Sequence, residues 1–153
     1  MNAEYCKILK SVAAIIPGYK KNYGKVTRIY LEDGRVEEVD FSFSKVVRDC
    51  CLLHCLSLSE IKKLSGNITE SKGMVPIYIG EDRILLPFKV YEKKGDNERS
   101  FGYINMKEIE DIGLNNKYII LKNGQRIKYF DKNHSVMKKI GQGQLLSAQI
   151  CSN

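Results

Sequence analysis

The sequence predicts an α+β protein built from small mixed or antiparallel β-hairpin units with two main helices and an internal βββα-like pseudo-repeat. Three observations lead there. Short apolar runs alternate with glycine-centred turns, and Asp33-Gly34 and Asn123-Gly124 are the strongest of these, since a type I′ hairpin turn needs positive φ at both central residues. Helix signals gather in two stretches, one opened by Ser44 and one by Ser135. The third observation is that residues 29–49 align without a gap with residues 119–139, 90 positions later. Ile29 matches Ile119, Leu31 matches Leu121, the two turns coincide, and Val46 matches Val136.

Taken in order, Ser11–Ile16 reads as a strand closed by Pro17-Gly18, followed by an exposed basic loop holding Lys20, Lys21 and Lys25. Val26–Leu31 and Val36–Phe41 form a hairpin about Asp33-Gly34. Ser44 caps a helix over Lys45–Leu64, continuous or broken near Ser57–Ser59, which Ser65-Gly66-Asn67 stops. Val75–Ile79 and Ile84–Phe88 flank the turn at 80–83, and Lys93–Glu98 is a polar loop that the sequence marks as the mobile segment. Phe101–Ile104 is a short strand and Met106–Ile112 one or two helical turns. The hairpin about Asn123-Gly124 and a helix carrying Lys138 and Lys139 on its last turn complete the chain, which ends over Leu145–Ser152.

At 153 residues, with 43% hydrophobic and 28% charged residues, the composition is globular and fits a single domain over 1–153. The apolar run Val12–Ile16 is too short for a signal core or a membrane span, and no amphipathic helix sets Trp or Phe opposite Lys, so no membrane partner is expected. Five cysteines without disulfide spacing fit a reducing cytoplasm.

Catalysis finds little support. Cys50, Cys51, His54 and Cys55 could share helix faces, but a structural zinc site takes four ligands and usually two separated pairs, and Cys6 and Cys151 stand alone. Interleaved with Leu52, Leu53 and Leu56, these residues read as a buried helix face, the wrong setting for a nucleophilic thiol paired with His54 or His134. Gly141-Gln142-Gly143 lacks the Lys-Ser/Thr of a phosphate loop. The expectation is no enzyme, no metal and no cofactor.

Charge is more informative. The net charge is +7 with a pI near 9.1, and segment 117–139 holds seven basic residues against Asp131 alone. Such clustering points to an anionic partner, with double-stranded DNA first. Arg126, Lys122, Lys128 and Asn123 lead the candidate contacts, with Gln125 beside them at the hairpin tip. Strand alternation sets Arg126 and Lys128 on one face and Ile127 and Tyr129 on the other. Lys117, Lys132, Lys138, Lys139, Lys62 and Lys63 follow as phosphate partners, with Lys72 and Arg83 weaker. Lys62 and Lys63 would also suit the end of a helix dipole. A plainer account of the segment is a solvated edge strand blunted by lysines. A different class of function, a protein-interaction module docking an acidic partner through the basic face, stays open.

The order of these motifs resembles the bacterial competence transcription factor (ComK) family. The likeness runs through AAIIP at 13–17, KVTRIYLEDG at 25–34, Arg48-Asp49-Cys50, Lys62-Lys63, Lys72 before Pro76-Ile77, ILLP at 84–87, GYIN at 102–105, and IILKNG through to Ser135, with Gln142 or Gln144 near the family's helix glutamine. The family's Cys and Trp of the fourth block are missing from 102–105, the chain has no Trp, and the longer tail of some members has no counterpart after the last helix. The resemblance implies a cytoplasmic activator of competence genes. It would bind AT-rich DNA largely from the minor groove, as a homo-oligomer of a dimer or paired dimers, under protein regulators.

Overall fold

In a computed structural model, residues 1–71, 73–92 and 100–150 are described; the Lys93–Glu98 loop, Lys72 and Cys151 lie outside them. The α+β class holds, with α1 (Ala3–Lys10), β1 (Val12–Lys20), β2 (Gly24–Leu31), β3 (Val36–Val39), α2 (Phe43–Leu52), α3 (Leu58–Thr69), β4 (Ile77–Tyr78), β5 (Ile84–Lys89), β6 (Phe101–Asn105), β7 (Ile109–Gly113), β8 (Tyr118–Leu121), β9 (Arg126–Lys128) and α4 (Asn133–Ile150). The strands form a six-stranded antiparallel sheet in the order β3-β2-β1-β6-β5-β4 and a three-stranded sheet β7-β8-β9.

The run Val12–Ile16 is apolar throughout because both faces of β1 are covered. Val12 and Ile15 pack with Leu9, Val47, Cys51 and Ile61 of the first three helices. Ala13, Ala14 and Ile16 pack instead with Ile119, Ile127, Val136 and Leu146 of the second sheet and α4. A bulge between Val12 and Ala14 interrupts the alternation and lets two adjacent alanines share a face. The helix α4 lies close on β5: a side chain at Gly143 would come within 2.6 Å of Leu86 Cδ2, so glycine permits the approach.

The pseudo-repeat is structural. Gly34 and Gly124 adopt φ of 94° and 93°, but Asp33 and Asn123 do not take positive φ, so the two turns are not the expected type I′. Leu31 N–H donates to Arg35 O and Leu121 N–H to Gln125 O, both at 2.9 Å. Opposite Leu31 and Leu121 the preceding strands carry the same bulge, at Val12/Ala14 and Ile109/Asp111. Each copy is therefore a βββα unit, β1-β2-β3-α2 and β7-β8-β9-α4.

Several elements differ from expectation, each for a physical reason. Helix α1 precedes the expected first strand; the Asn2 side chain caps it by accepting from Tyr5 N–H at 2.8 Å, and Tyr5, Ile8 and Leu9 are its buried face. Strand β1 continues through Pro17 to Lys20, because β6 pairs with it only at Ala14 and Ile15 and leaves Pro17 on a stretch with one neighbour, where strands tolerate proline. The expected long helix is two helices, capped by Ser42 and Ser57 rather than Ser44. Cys55, at φ 57°, turns the chain between them. Ser65-Gly66-Asn67 does not end α3, which runs on to a left-handed cap at Glu70. Only Met106–Glu108 is helical before β7, so Ile109–Ile112 is strand. Helix α4 starts at Asn133 rather than Ser135 and runs to Ile150, placing Lys138 and Lys139 in its first half.

Cys50 and Cys51 are buried among Val46, Val47 and Ile61. The His54 ring lies 3.2 Å from the Arg83 guanidinium, and among the described residues no group of three or more His, Cys, Asp or Glu could hold a metal ion. Desolvation, with Cys51 beside it, pushes the Cys50 thiol up to about 12, and burial takes Cys51 to about 11. Both thiols stay neutral in the folded state after their unfolded counterparts ionise near pH ~8.5, so stability is full below that pH and falls as pH rises above it. The buried phenol of Tyr5, raised by desolvation and by its bond to Asp49, acts in the same sense. Denaturant midpoints should drop between pH 8 and pH 10, while Cys55, which is exposed, reacts with a thiol reagent far faster than Cys50 or Cys51. A flat midpoint and equal reaction rates would contradict this burial.

Candidate nucleic-acid interface

Alternation along β9 sends its cations outward. Ile127 is buried and so is Tyr129 just beyond the strand, while Arg126 and Lys128 are exposed. Tyr129 anchors the segment, packing against Phe88 and donating its hydroxyl to Gly113 O at 3.0 Å. Burial and then Asp131 raise its phenol above the usual range. Lys128 extends over the Tyr118 ring and donates to Asn116 O at 2.8 Å. Lys122 is exposed at the turn.

The amides of the hairpin tip are used within the molecule. Asn123 Nδ2 donates to Leu31 O at 3.1 Å, and Gln125 Nε2 donates to Gly34 O at 2.7 Å, so the second turn docks on the first. Asn123 Oδ1 also accepts from Gln125 N–H, closing the turn. Glu32 lies at this junction, where desolvation and then Glu108 raise its carboxyl. Each amide-to-carbonyl bond contributes about 1 kcal/mol. Asn123→Ala with Gln125→Ala should therefore cost about 2–3 kcal/mol in chemical denaturation. An unchanged denaturation midpoint would free the two amides for an external ligand.

Two of the other candidate lysines are also committed inside the fold. Lys117, at φ 60°, donates to Asp131 O at 2.9 Å and to Asn133 Oδ1 at 2.6 Å, tying β8 to the start of α4. Lys139, only 12% exposed, is ion-paired with Asp131 and lies over the rings of Phe101 and Phe88. Asp131 Oδ1 in turn accepts from Lys89 N–H at 2.8 Å. Lys63 forms an exposed pair with Glu60 at 3.5 Å, and Arg83 is buried, donating to Leu9 O and Lys10 O.

Lys62, Lys132 and Lys138 converge. Helix α3 packs on α4, and a groove of about 830 Å³, lined also from β5 and β6, gathers these three lysines with His134, Ser135 and Gln142. The one carboxylate among the described lining residues is Asp131, and it is buried and taken by Lys139. The first turn of α4 holds no acid, although that end of a helix carries partial positive charge. Lysines gathered at a helix N-terminus repel it and one another, and an anion in the groove would relieve both. The sequence named the three lysines, but His134, Ser135 and Lys89 joined them only through the packing of α3, β5 and α4.

The model of the family described as ComK protein matches residues 2–150. The chain belongs to the ComK family. Membership makes it a member of a family of competence transcription factors rather than of enzymes, and the match spans both βββα units. Comparison with curated proteins and with solved structures found no match. No helix among the described residues is long and apolar enough to cross a membrane. Within this ComK-family chain the exposed basic candidates other than Lys63, which faces Glu60, form two sets, Lys122, Arg126 and Lys128 on the second hairpin and Lys62, Lys132 and Lys138 in the groove.

Proposed function

We propose that this chain is a cytoplasmic, DNA-binding transcriptional regulator that activates competence genes. It acts as one domain over 1–153, as a homo-oligomer and without a cofactor. The observation that carries the reading is the cationic groove at the start of α4, where the one carboxylate among the described lining residues, Asp131, is already paired with Lys139. Lys62, Lys132 and Lys138 neutralise phosphates, which gives affinity without sequence information. Arg126, with Lys122 and Lys128 beside it, projects from the exposed side of the second hairpin and enters the minor groove. Narrow AT tracts concentrate negative potential there, and arginine is the side chain drawn to it. Family membership supports the regulatory role.

Arg126→Ala should reduce the preference for an AT-rich over a GC-rich duplex, whereas Lys138→Ala should weaken both equally and lower the salt slope by about one unit. Competition binding with the two duplexes measures this. If Arg126→Ala left the preference intact, the hairpin would not be the reading element.

A further inference from the structure

The β1–β2 ladder outruns its neighbours. β6 pairs with β1 only at Ala14 and Ile15, and β3 follows β2 no further than Thr27. β1 and β2 nevertheless stay paired through Gly18–Val26, Tyr19–Lys25 and Lys20–Gly24. At ~3.3 Å per residue these pairs form a two-stranded finger standing about 10 Å beyond the sheet. Its turn is tight: Tyr23 N–H donates to Lys20 O at 3.0 Å, and Asn22 takes φ 66°. Tyr19 is 70% and Tyr23 61% exposed. Residues 19–25 carry Lys20, Lys21 and Lys25 and no acid. Glu38 reaches Lys20 at 3.7 Å and Asp40 accepts from the Tyr23 hydroxyl at 2.7 Å, but among the described residues no acid pairs with Lys21 or Lys25.

The fold holds the base of this ribbon, where Val26 is buried and Glu38 and Asp40 reach Lys20 and Tyr23, while Lys21 and Lys25 stay exposed on it. From this shape and charge we infer that the finger enters the major groove of duplex DNA, with Lys21 and Lys25 on flanking phosphates. The inference rests on the DNA-binding reading above and adds a second element to it. Two strands ~4.8 Å apart, with side chains on both faces, suit a groove ~12 Å wide and ~8.5 Å deep and are too broad for the minor groove, ~6 Å wide.

The test is anisotropy across a salt series with the whole chain, on an AT-rich duplex and on the same duplex carrying bulky 5-substituents on its pyrimidines. Those substituents fill the major groove and leave the minor groove open. Lys21→Ala/Lys25→Ala should lower the salt slope by about two units. The wild type should lose affinity on the substituted duplex, and the variant should lose much less. A variant with the wild-type slope, or a wild type indifferent to the substituents, would overturn the finger's role while DNA binding by the chain stood. Absence of salt-dependent binding by the wild type itself would overturn both readings.

Discussion

Lys62→Ala/Lys132→Ala/Lys138→Ala is expected to lower the salt slope of DNA binding by about three units and to weaken binding at 0.1 M salt by roughly two to three orders of magnitude. The figure follows from counterion release. Each neutralised phosphate frees about 0.9 of a condensed cation, and the gain per contact at 0.1 M salt is roughly eightfold. All three side chains are exposed, so their removal should leave the denaturation midpoint almost unchanged. Lys63→Ala is the natural control, because Lys63 lies outside the groove lining and faces Glu60. Salt-titrated anisotropy on the two variants measures the contrast. Equal, small losses from both would mean that the groove is a solvated surface.

Asp131→Ala should be the most damaging single change to the fold. Its carboxylate is buried, it accepts from Lys89 N–H, and it neutralises Lys139, whose ammonium is enclosed by Phe88 and Phe101. Removing one partner of a buried pair leaves the other charge uncompensated, at a cost of about 3–5 kcal/mol. Replacing the ammonium as well should recover much of the loss, so Asp131→Ala/Lys139→Met is expected to be more stable than Asp131→Ala alone. Because the pair fixes the start of α4 against β5, the single variant should also blunt DNA binding by displacing Lys132 and Lys138. Urea denaturation of the two variants tests this. A loss under about 1 kcal/mol for Asp131→Ala would show that the pair is effectively solvated.

Local chemistry made much of the fold legible. Asp33-Gly34 and Asn123-Gly124 demanded the same turn, and the alternation beyond them placed Ile127 inward and Arg126 outward. Helix α1 has a readable trace in the sequence, an Asn2 cap followed by Tyr5, Ile8 and Leu9 at helical spacing. The course of β1 through Pro17 was harder, since a proline's tolerance depends on whether β6 lies alongside, which sequence does not record. The site divides in the same way. Density of charge marked segment 117–139, but not which cations are free. Asn123 and Gln125 bond to carbonyls some 91 or 92 residues away, and Lys139 is drawn inward by Asp131 and two rings. Convergence of Lys62 with Lys138 arises from the packing of α3 on α4, a contact between distant segments that no periodicity announces.

The central claim is that this chain grips duplex DNA electrostatically and favours AT-rich sequence. Fluorescence anisotropy of the wild type with an AT-rich and a GC-rich duplex across a salt series tests it most directly. Salt-dependent binding to both, tighter on the AT-rich duplex at every salt concentration, is the expected result. Equal binding would contradict sequence preference and leave only phosphate affinity, and no binding at low salt would contradict the claim outright and favour an acidic protein partner for the basic face.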